Sequence, residues 1–534
     1  SLQASHFCSS SSCLALPPSR ARPPAESDYV ERPTRAMVLS TSLRAAARGI
    51  STSSITAMSL PALTQAAPKP SFLSAIFGGK TTDCGPMDRP MAGVTIPAPP
   101  VAPAVAPTTQ ITRLANGAVI ASENTMGGSM AVGMYIGAGS KNENAYTVGA
   151  SHLLERMAFR ATTNRSSFRV TREAEVIGAN LMASASREQM AYTVDCLRSN
   201  MPEAVELLAD AVMNPKLVDH EVADVAMVLM AEMADLASNP ANLMMEAVHA
   251  VAYSGGLGQP LVATPVALSK FTGDLLANFV QTNYTADNVV LAASGVPHAD
   301  LVAVAEPLLL QLPPGPGPGA LPSQYLGGDY RVATDAPSVS IVLAFEFVGG
   351  WKDNKASTAM TVLNTLMGGG GSFSAGGPGK GMYSRLYTRV LNRHAWAQNC
   401  TAFHSVFDDT GIIGISGVAD PGYAGDMVNV MAKELKAVAA GEVTAKELER
   451  AKAATISSIL MNLESKAVVA EDIGRQVLTY GERKSPADFI AQVKALTLAE
   501  VSAVAAQAVT SAPTLCMVGD LTNAPRYDAV KAMF

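Results

Sequence analysis

A long internal repeat constrains the fold of this chain more than any other feature of its sequence. Residues Met130 to Met157 read MAVGMYIGAGSKNENAYTVGASHLLERM, and residues Ser340 to Gly368 read SIVLAFEFVGGWKDNKASTAMTVLNTLMG. An offset of 211 positions aligns matching residues of the two copies: Gly139 with Gly350, Lys141 with Lys352, and Ala145 with Ala356. Each copy begins with an apolar run typical of a strand, turns at a Gly/Lys/Asn cluster and continues into an amphipathic helix. The sequence therefore predicts two copies of one structural unit.

The repeat continues along both halves of the chain. Residues 202–213 correspond to 422–438, residues 219–236 correspond to 444–463, and each half ends in a strand-like run, at 288–295 and 513–520. The stretch Leu312 to Pro322 reads LPPGPGPGALP, which favours a linker. We therefore expect two α+β sandwich domains, at 108–311 and 324–534, joined by a Pro/Gly linker at 312–323. In each, helices cover one face of a sheet. A doubly wound nucleotide-binding fold is the weaker alternative.

The first 107 residues have a different composition from the two halves. No acidic residue occurs between Arg32 and Thr82, whereas six Lys or Arg do, and Ser and Ala are abundant. This pattern is typical of a mitochondrial transit peptide, so residues 1–58 are predicted to be upstream sequence followed by a presequence that starts at Met37. Residues 59–107 contain ten prolines and are predicted to form an extended arm. An ordinary disordered tail is the alternative for this region.

Composition excludes several classes of protein. No apolar run reaches the roughly 18 to 20 residues that a bilayer-spanning helix needs. There are 39 Lys plus Arg against 45 Asp plus Glu, so no basic excess is present to bind phosphates, and no nucleic-acid partner is expected. The six cysteines contain no CxxC pair, so neither a disulfide framework nor a thiolate zinc site is indicated.

One segment of the first half resembles a metal-binding motif that lacks a ligand. Residues His152, Glu155 and Arg156 stand where the inverted zinc motif H-x-x-E-H has histidine, glutamate and histidine. In that motif both histidines bind zinc, and the glutamate activates the metal-bound water. Because Arg156 is a permanent cation with no lone pair to donate, it cannot replace the second histidine. The corresponding positions of the second half are Leu363 and Leu366.

A glycine-rich segment follows the repeat helix of the second half and is missing from the first. It does not match the GxxxxGK[ST] or GxGxxG phosphate-binding patterns. So many glycines are costly to order, which favours a role in approaching a ligand over a solvated connector, although the connector stays an alternative. Flexible backbone donors and acceptors could hold an extended peptide without strict sequence preference. The predicted substrate-binding residues are Gly368, Gly369, Gly370, Gly371, Ser372, Phe373, Ser374, Ala375, Gly376, Gly377, Pro378, Gly379, Lys380 and Gly381.

The repeat, the degenerate motif and the glycine-rich segment together resemble the pitrilysin-like two-domain metallopeptidases. In that family the third zinc ligand is a Glu 76 residues after the second histidine, and Glu232 occupies that position here. Within the family, the sequences GGGGSFSAGGPGKGMYSRL and GASHLLERMAF resemble the alpha subunits of mitochondrial processing peptidase and core protein 2 of the cytochrome bc1 complex. His152, Glu155 and Glu232 are then expected to be relics, in a polar cluster where Arg156 balances the carboxylates.

The resemblance implies a function, a location and partners. The chain is expected to be a non-catalytic, substrate-recognising subunit that holds no zinc itself. The metal and the general base are expected in a beta-type partner, which is the equivalent of core protein 1. Its substrates would be presequence peptides of imported precursors. Its location would be the mitochondrial matrix or the matrix side of the inner membrane, together with other bc1 subunits.

Two alternative functions are also consistent with these features of the sequence. The first is a purely structural core protein 2 without a processing role, although core proteins specialised in that way usually lose or shorten the glycine-rich segment. The second is a self-sufficient zinc peptidase, which Arg156 argues against.

Overall fold

The computed structural model of this chain describes residues 108–238, 244–317, 319–371 and 382–534. The predicted presequence at 1–58 and the predicted Pro-rich arm at 59–107 lie outside the described residues. So do residues 372–381, which include most of the glycine-rich segment. Two mixed sheets organise the described part of the chain, one in each half of the repeat.

The first sheet contains six strands from the first half of the chain. Its spatial order is β1-β2-β7-β3-β5-β4, in which β2 and β7 are parallel and the other neighbours are antiparallel. The strands of this half, with the two-residue strand β6, are β1 (Gln110–Arg113), β2 (Val119–Glu123), β3 (Ser129–Ile136), β4 (Asn180–Ala185), β5 (Met190–Leu197), β6 (Tyr253–Ser254) and β7 (Val289–Ser294).

The second sheet repeats the first, in the order β9-β14-β10-β13-β12-β11. The strands of this half, with the two-residue β8 that pairs with β6, are β8 (Gln324–Tyr325), β9 (Gly328–Ala333), β10 (Val339–Val348), β11 (Gly369–Gly371), β12 (Ala397–Val406), β13 (Thr410–Ala419) and β14 (Thr514–Gly519). The series β2-β7-β3-β5-β4 matches β9-β14-β10-β13-β12, including the single parallel pair. The two sheets lie on either side of the predicted linker in the sequence, and the predicted pair of homologous α+β domains is confirmed.

Helices cover the sheets and begin at recognisable capping residues. Both Thr444 and Thr497 form capping boxes, with Glu447 and Glu500 respectively. The helices are α1 (Ala150–Met157), α2 (Ser167–Ile177), α3 (Met201–Met213), α4 (Asp219–Ser238), α5 (Met244–Ala252), α6 (Pro265–Leu268), α7 (Gly273–Asn283), α8 (His298–Leu309), α9 (Asn354–Met367), α10 (Ala424–Ala439), α11 (Ala445–Asn462), α12 (Lys466–Tyr480), α13 (Pro486–Ala495), α14 (Leu498–Ala508) and α15 (Tyr527–Lys531).

Each half also places one helix on the sheet of the other half. Helix α12 buries Val469, Ile473 and Val477 against β2, β3 and β7 of the first sheet. Helix α5 packs in the same way on β10 and β14 of the second sheet. The sequence predicted helices on one face of each sheet, and the structure adds this helix from the opposite half on the other face. The exchange explains why β3 and β10 are apolar almost throughout, because strands buried on both faces lack the alternation of half-exposed strands.

Polar contacts fix both ends of α12 to the first half. The Lys466 Nζ donates a hydrogen bond to the Ser129 carbonyl at 2.6 Å. Just beyond the other end, the buried Arg483 forms ion pairs with Glu123 of β2 and with Asp472. At α12 the two halves are therefore joined by apolar packing, by the Arg483–Glu123 ion pair and by the Lys466 hydrogen bond.

In the part of the chain that the structure describes, no helix by itself is long and apolar enough to cross a membrane. Helices α13 and α14 together have the required length and composition, but they are bent by 91° relative to each other.

Candidate functional site

Helix α1 carries the degenerate motif, and its first turn is held by a buried carboxylate. The backbone N–H groups of Gly149 and Ser151 donate to the Glu143 carboxylate oxygens at 2.6 and 2.7 Å. Burial raises the pKa of Glu143 to about 7, although both of these hydrogen bonds favour its charged form. Gly149 has φ +91°, and a Cβ there would lie 2.5 Å from the Cβ of Ala263. The start of α1 is therefore fixed between Glu143 and Ala263.

Arg156 and Glu232 form an ion pair between α1 and α4. The Arg156 Nη2 lies 2.8 Å from the Glu232 Oε2, and their side chains are 48% and 40% exposed. In a zinc peptidase of this fold, these two positions would each supply a metal ligand. In this chain a positive charge occupies one position and neutralises the carboxylate at the other. The ion pair therefore joins the two helices where a metal would otherwise join them.

Glu155, at the position of the general base, is bound elsewhere. Its Oε2 accepts a hydrogen bond from the backbone N–H of Ala185, the last residue of β4, at 2.9 Å. The sequence predicts one polar cluster in which Arg156 balances the carboxylates. The structure contains the Arg156–Glu232 pair but places Glu155 on the sheet instead. Glu155 therefore connects α1 to the edge of the first sheet.

The hydrogen bond that His152 accepts determines where its proton lies. The backbone N–H of Ala263 donates to the His152 Nδ1 at 3.2 Å. Because this nitrogen accepts, the proton of the neutral ring must be on Nε2. Burial lowers the pKa of His152, which favours the neutral form. The lone pair of Nδ1 is therefore used to accept the Ala263 N–H, and Nε2 carries the ring proton.

These residues do not fit the zinc ion that the motif implies. A zinc-bound histidine normally ligates through one nitrogen and donates its other N–H to an acceptor. Here a donor N–H faces His152, a cation occupies the second ligand position, and Glu232 is paired with that cation. Among residues 108–238, 244–317, 319–371 and 382–534, no group of three or more His, Cys, Asp or Glu side chains could hold a metal ion. His152, Arg156 and Glu232 therefore form hydrogen bonds and an ion pair with protein groups, in an arrangement that does not suit zinc.

The matching helix of the second half carries apolar residues at the positions of the motif. Leu363 and Leu366, the counterparts of His152 and Glu155, are buried in the core beneath the second sheet, as is Met367, the counterpart of Arg156. The two halves therefore use the same helix differently. The first half presents polar side chains there, and the second half uses the positions for packing.

The described part of the glycine-rich segment forms the edge of the second sheet. Residues Gly369–Gly371 form β11, which pairs with β12. Gly368 ends α9 at φ +55°, and a Cβ there would lie 2.4 Å from the Cβ of Ser384. A Cβ on Gly369 would lie 1.9 Å from the Cys400 carbonyl oxygen. Glycine is therefore sterically required at both positions, and the other predicted substrate-binding residues, Ser372–Gly381, lie outside the described residues.

Two residues that the sequence analysis did not single out stand just after this segment. The Ser384 Oγ accepts a hydrogen bond from the Gly369 N–H at 3.0 Å. The Arg385 side chain is fully buried, and its Nε lies 2.7 Å from the Glu434 Oε2. The signal that could have found Arg385 is the repeat itself, because Arg165 occupies the matching place in the first half.

Fold and site together define a class of protein. The two-domain M16 metallopeptidases have this arrangement: two copies of one α+β unit, with an inverted HxxE motif on a helix of the first copy. Residues 119–265 match the family described as Insulinase (Peptidase family M16), and residues 270–455 match the Peptidase M16 inactive domain. The first match contains the degenerate motif, and the second contains the glycine-rich segment.

Comparison with individual proteins narrows the class. The chain is 48% identical over 466 residues to the probable mitochondrial-processing peptidase subunit alpha-1 of Arabidopsis thaliana, covering 87% of this chain and 92% of that protein. It is 45% identical to the alpha subunit of Solanum tuberosum, covering 90% and 95%, and 36% identical to that of Homo sapiens, covering 79% and 84%. The chain belongs to the M16 peptidase family, and these relatives within it are mitochondrial-processing peptidase alpha subunits.

Proposed function

We propose that this chain is the non-catalytic, substrate-recognising alpha subunit of a mitochondrial processing peptidase, the enzyme that removes presequences from imported precursors. The observation that carries the proposal is the Arg156–Glu232 ion pair, with its 2.8 Å separation at the position of two metal ligands. The names of the relatives support the same role. The zinc ion and the general base then belong to a beta-type partner.

The glycine-rich segment is the part of the chain that we assign to presequence binding. Two observations on its described residues support this role. Gly368 and Gly369 are required by close contacts, so the segment is built into the fold at its start. It then continues as β11, an edge strand, which is the kind of element that presents backbone donors and acceptors to an extended peptide.

The charge of the chain is consistent with a basic substrate. The whole chain carries a net charge of −6, and residues 1–107 hold nine basic and five acidic residues, so residues 108–534 carry −10. Mitochondrial presequences are amphipathic and rich in arginine. An acidic surface raises the local concentration of such a peptide and speeds its association.

The location follows from the same proposal. We place the chain in mitochondria, on the matrix side, because the relatives are named mitochondrial and because residues 32–82 have transit-peptide composition. A second role as a core subunit of the bc1 complex, beside core protein 1, rests on resemblance alone. A core subunit without processing activity is the alternative that the experiment must separate.

The experiment is presequence cleavage by the chain reconstituted with a beta-type partner. The variant lacks residues 372–379, so that β11 and Ser384 are kept. We expect the deletion to abolish cleavage or to weaken peptide binding strongly while the heterodimer still forms in size-exclusion chromatography. Unchanged cleavage and unchanged peptide affinity in the deletion variant would refute the assignment.

A further inference from the structure

The two halves place an arginine with a largely enclosed side chain at the same point of the repeat. In each half, the connection that follows the repeat helix, α1 or α9, leads to this arginine. The Arg165 Nη1 lies 2.8 Å from the Asp210 Oδ2 on α3, and the Arg385 Nε lies 2.7 Å from the Glu434 Oε2 on α10. Helices α3 and α10 are themselves repeat counterparts. The two ion pairs are therefore equivalent features of the two domains.

The connections that these ion pairs close differ greatly in length. In the first half, residues 158–164 join α1 to Arg165. In the second half, residues 368–384 join α9 to Arg385, and they include the whole glycine-rich segment. The second connection is therefore an expanded form of the first. Both keep an arginine ion pair at the base.

The arginine of the second half is more completely enclosed. Its side chain is 0% exposed and that of Glu434 is 9% exposed, whereas Arg165 and Asp210 are 10% and 5% exposed. The Arg385 Nη1 also donates to the Glu442 carbonyl at 2.8 Å. A buried ion pair strongly favours the geometry that satisfies both charges, because losing one partner leaves an uncompensated charge. The end of the glycine-rich connection is therefore held at one point.

A second contact fixes the beginning of the connection to its end. The Gly369 N–H, in the first residue of β11, donates to the Ser384 Oγ at 3.0 Å, and Ser384 directly precedes Arg385. The Gly368 carbonyl accepts from the Ala402 N–H of β12 at 2.8 Å. The two flanks of the segment therefore meet beside β12.

We propose that Ser384 and Arg385 are positioning residues for presequence binding. They fix both flanks of the glycine-rich connection at one place on the second sheet. This lowers the conformational entropy that is lost when a peptide binds. The inference rests on the proposed function, because it assumes that the glycine-rich segment binds the presequence. Neither residue is assigned a contact with substrate.

The first test compares Ser384→Ala with Ser384→Thr in the reconstituted heterodimer. The probe is a fluorescently labelled presequence peptide of a known imported precursor, with its dissociation constant measured by anisotropy and with kcat and KM measured by cleavage. Removing one hydrogen bond from the base of the connection should raise Kd and KM about three- to tenfold and leave kcat unchanged. The threonine variant keeps the hydroxyl and should bind within about twofold of the wild type. An unchanged Kd for Ser384→Ala would overturn the proposal.

The second test uses the repeat as its own control. Arg385→Met and Arg165→Met each remove the arginine of a buried ion pair, so both should lower thermal stability. At a temperature where both variants are folded, only Arg385→Met should weaken peptide binding. Equal weakening by both variants would mean that general stability, not positioning, controls affinity. If Arg385→Met does not fold, the Ser384 variants decide the question alone.

The deletion of residues 372–379 separates the two levels of the proposal. If this deletion leaves peptide affinity unchanged, the proposed function itself is wrong. If the deletion weakens binding but the Ser384 and Arg385 variants bind like the wild type, the proposed function stands and only the positioning roles are wrong.

Discussion

Replacing Gly474 with alanine should destabilise the chain, although helix propensity alone predicts that it is stabilising. Gly474 lies in α12, on the side that faces the first sheet. Alanine in place of glycine normally stabilises a helix by about 1 kcal/mol. At this site the added Cβ would lie 2.2 Å from the Cδ2 atom of Tyr135, a fully buried residue of β3. We therefore expect Gly474→Ala to destabilise the chain.

The size of the effect follows from the contact distance. Carbon atoms pack at about 3.5–4.0 Å, so the ring and helix would have to separate by more than 1 Å. Forcing an extra methyl group into a packed core costs roughly 1–3 kcal/mol. After subtraction of the gain in helix propensity, the net loss should be about 0–2 kcal/mol. The substitution would weaken the packing of α12, a helix of the second half, against the first sheet.

The assay is urea unfolding followed by circular dichroism, with Tyr135→Ala as the second background. Once the ring is removed, Gly474→Ala meets no close atom of residue 135 and should stabilise the chain by about 1 kcal/mol, as it would in an exposed helix. The sign of the change should therefore differ between the two backgrounds. A gain in stability from Gly474→Ala in the wild-type chain would refute the packing that we describe.

Three further predictions concern Gly369 of β11, the buried His249 of α5, and Arg156 of α1. Gly369→Ala should lower the free energy of unfolding in urea by at least about 1–3 kcal/mol, because φ is +114° and the new Cβ would lie 1.9 Å from the Cys400 carbonyl oxygen. A free energy of unfolding close to that of the wild type would contradict this. Burial lowers the pKa of His249 from 6.5 to about 4, so stability should be lost as pH falls through this range. His249→Leu should remove a loss on the order of 3 kcal/mol between pH 6.5 and 4, and an unchanged pH profile of urea unfolding would count against it. Arg156→His should not hold stoichiometric zinc through dialysis, because the proton of His152 stays on Nε2; one zinc per chain by plasma mass spectrometry would contradict this.

The repeat made much of the fold predictable from the sequence. Matching strand runs and helices in the same order along both halves predicted two homologous domains, and the strand orders of the two sheets agree over five strands. The exchange of α5 and α12 was not predicted. Apolar residues such as Val469, Ile473 and Val477 indicate a buried helix face, but they do not say which sheet covers it. The continuous apolar runs of β3 and β10 were the available signal, since they are typical of strands covered on both faces.

The residues of the degenerate site could be predicted from the sequence, but their hydrogen bonds could not. The spacing from Arg156 to Glu232 placed the ion pair correctly. The proton position on His152 depends on Ala263, a residue distant in sequence whose N–H carries no side-chain signal. Strand β11 was also not predicted, because glycine has a low strand propensity. The pairing of β11 with β12 is imposed by tertiary context.

In the function that we propose, this chain contributes substrate recognition and no metal chemistry to a two-subunit peptidase. The most direct test measures zinc content and presequence cleavage for the purified chain alone, for a beta-type partner alone and for the two together. We predict that the chain alone contains no stoichiometric zinc and cleaves nothing, and that adding it to the zinc-containing partner greatly increases cleavage. A chain that binds one zinc and cleaves presequences without a partner would contradict the proposed function.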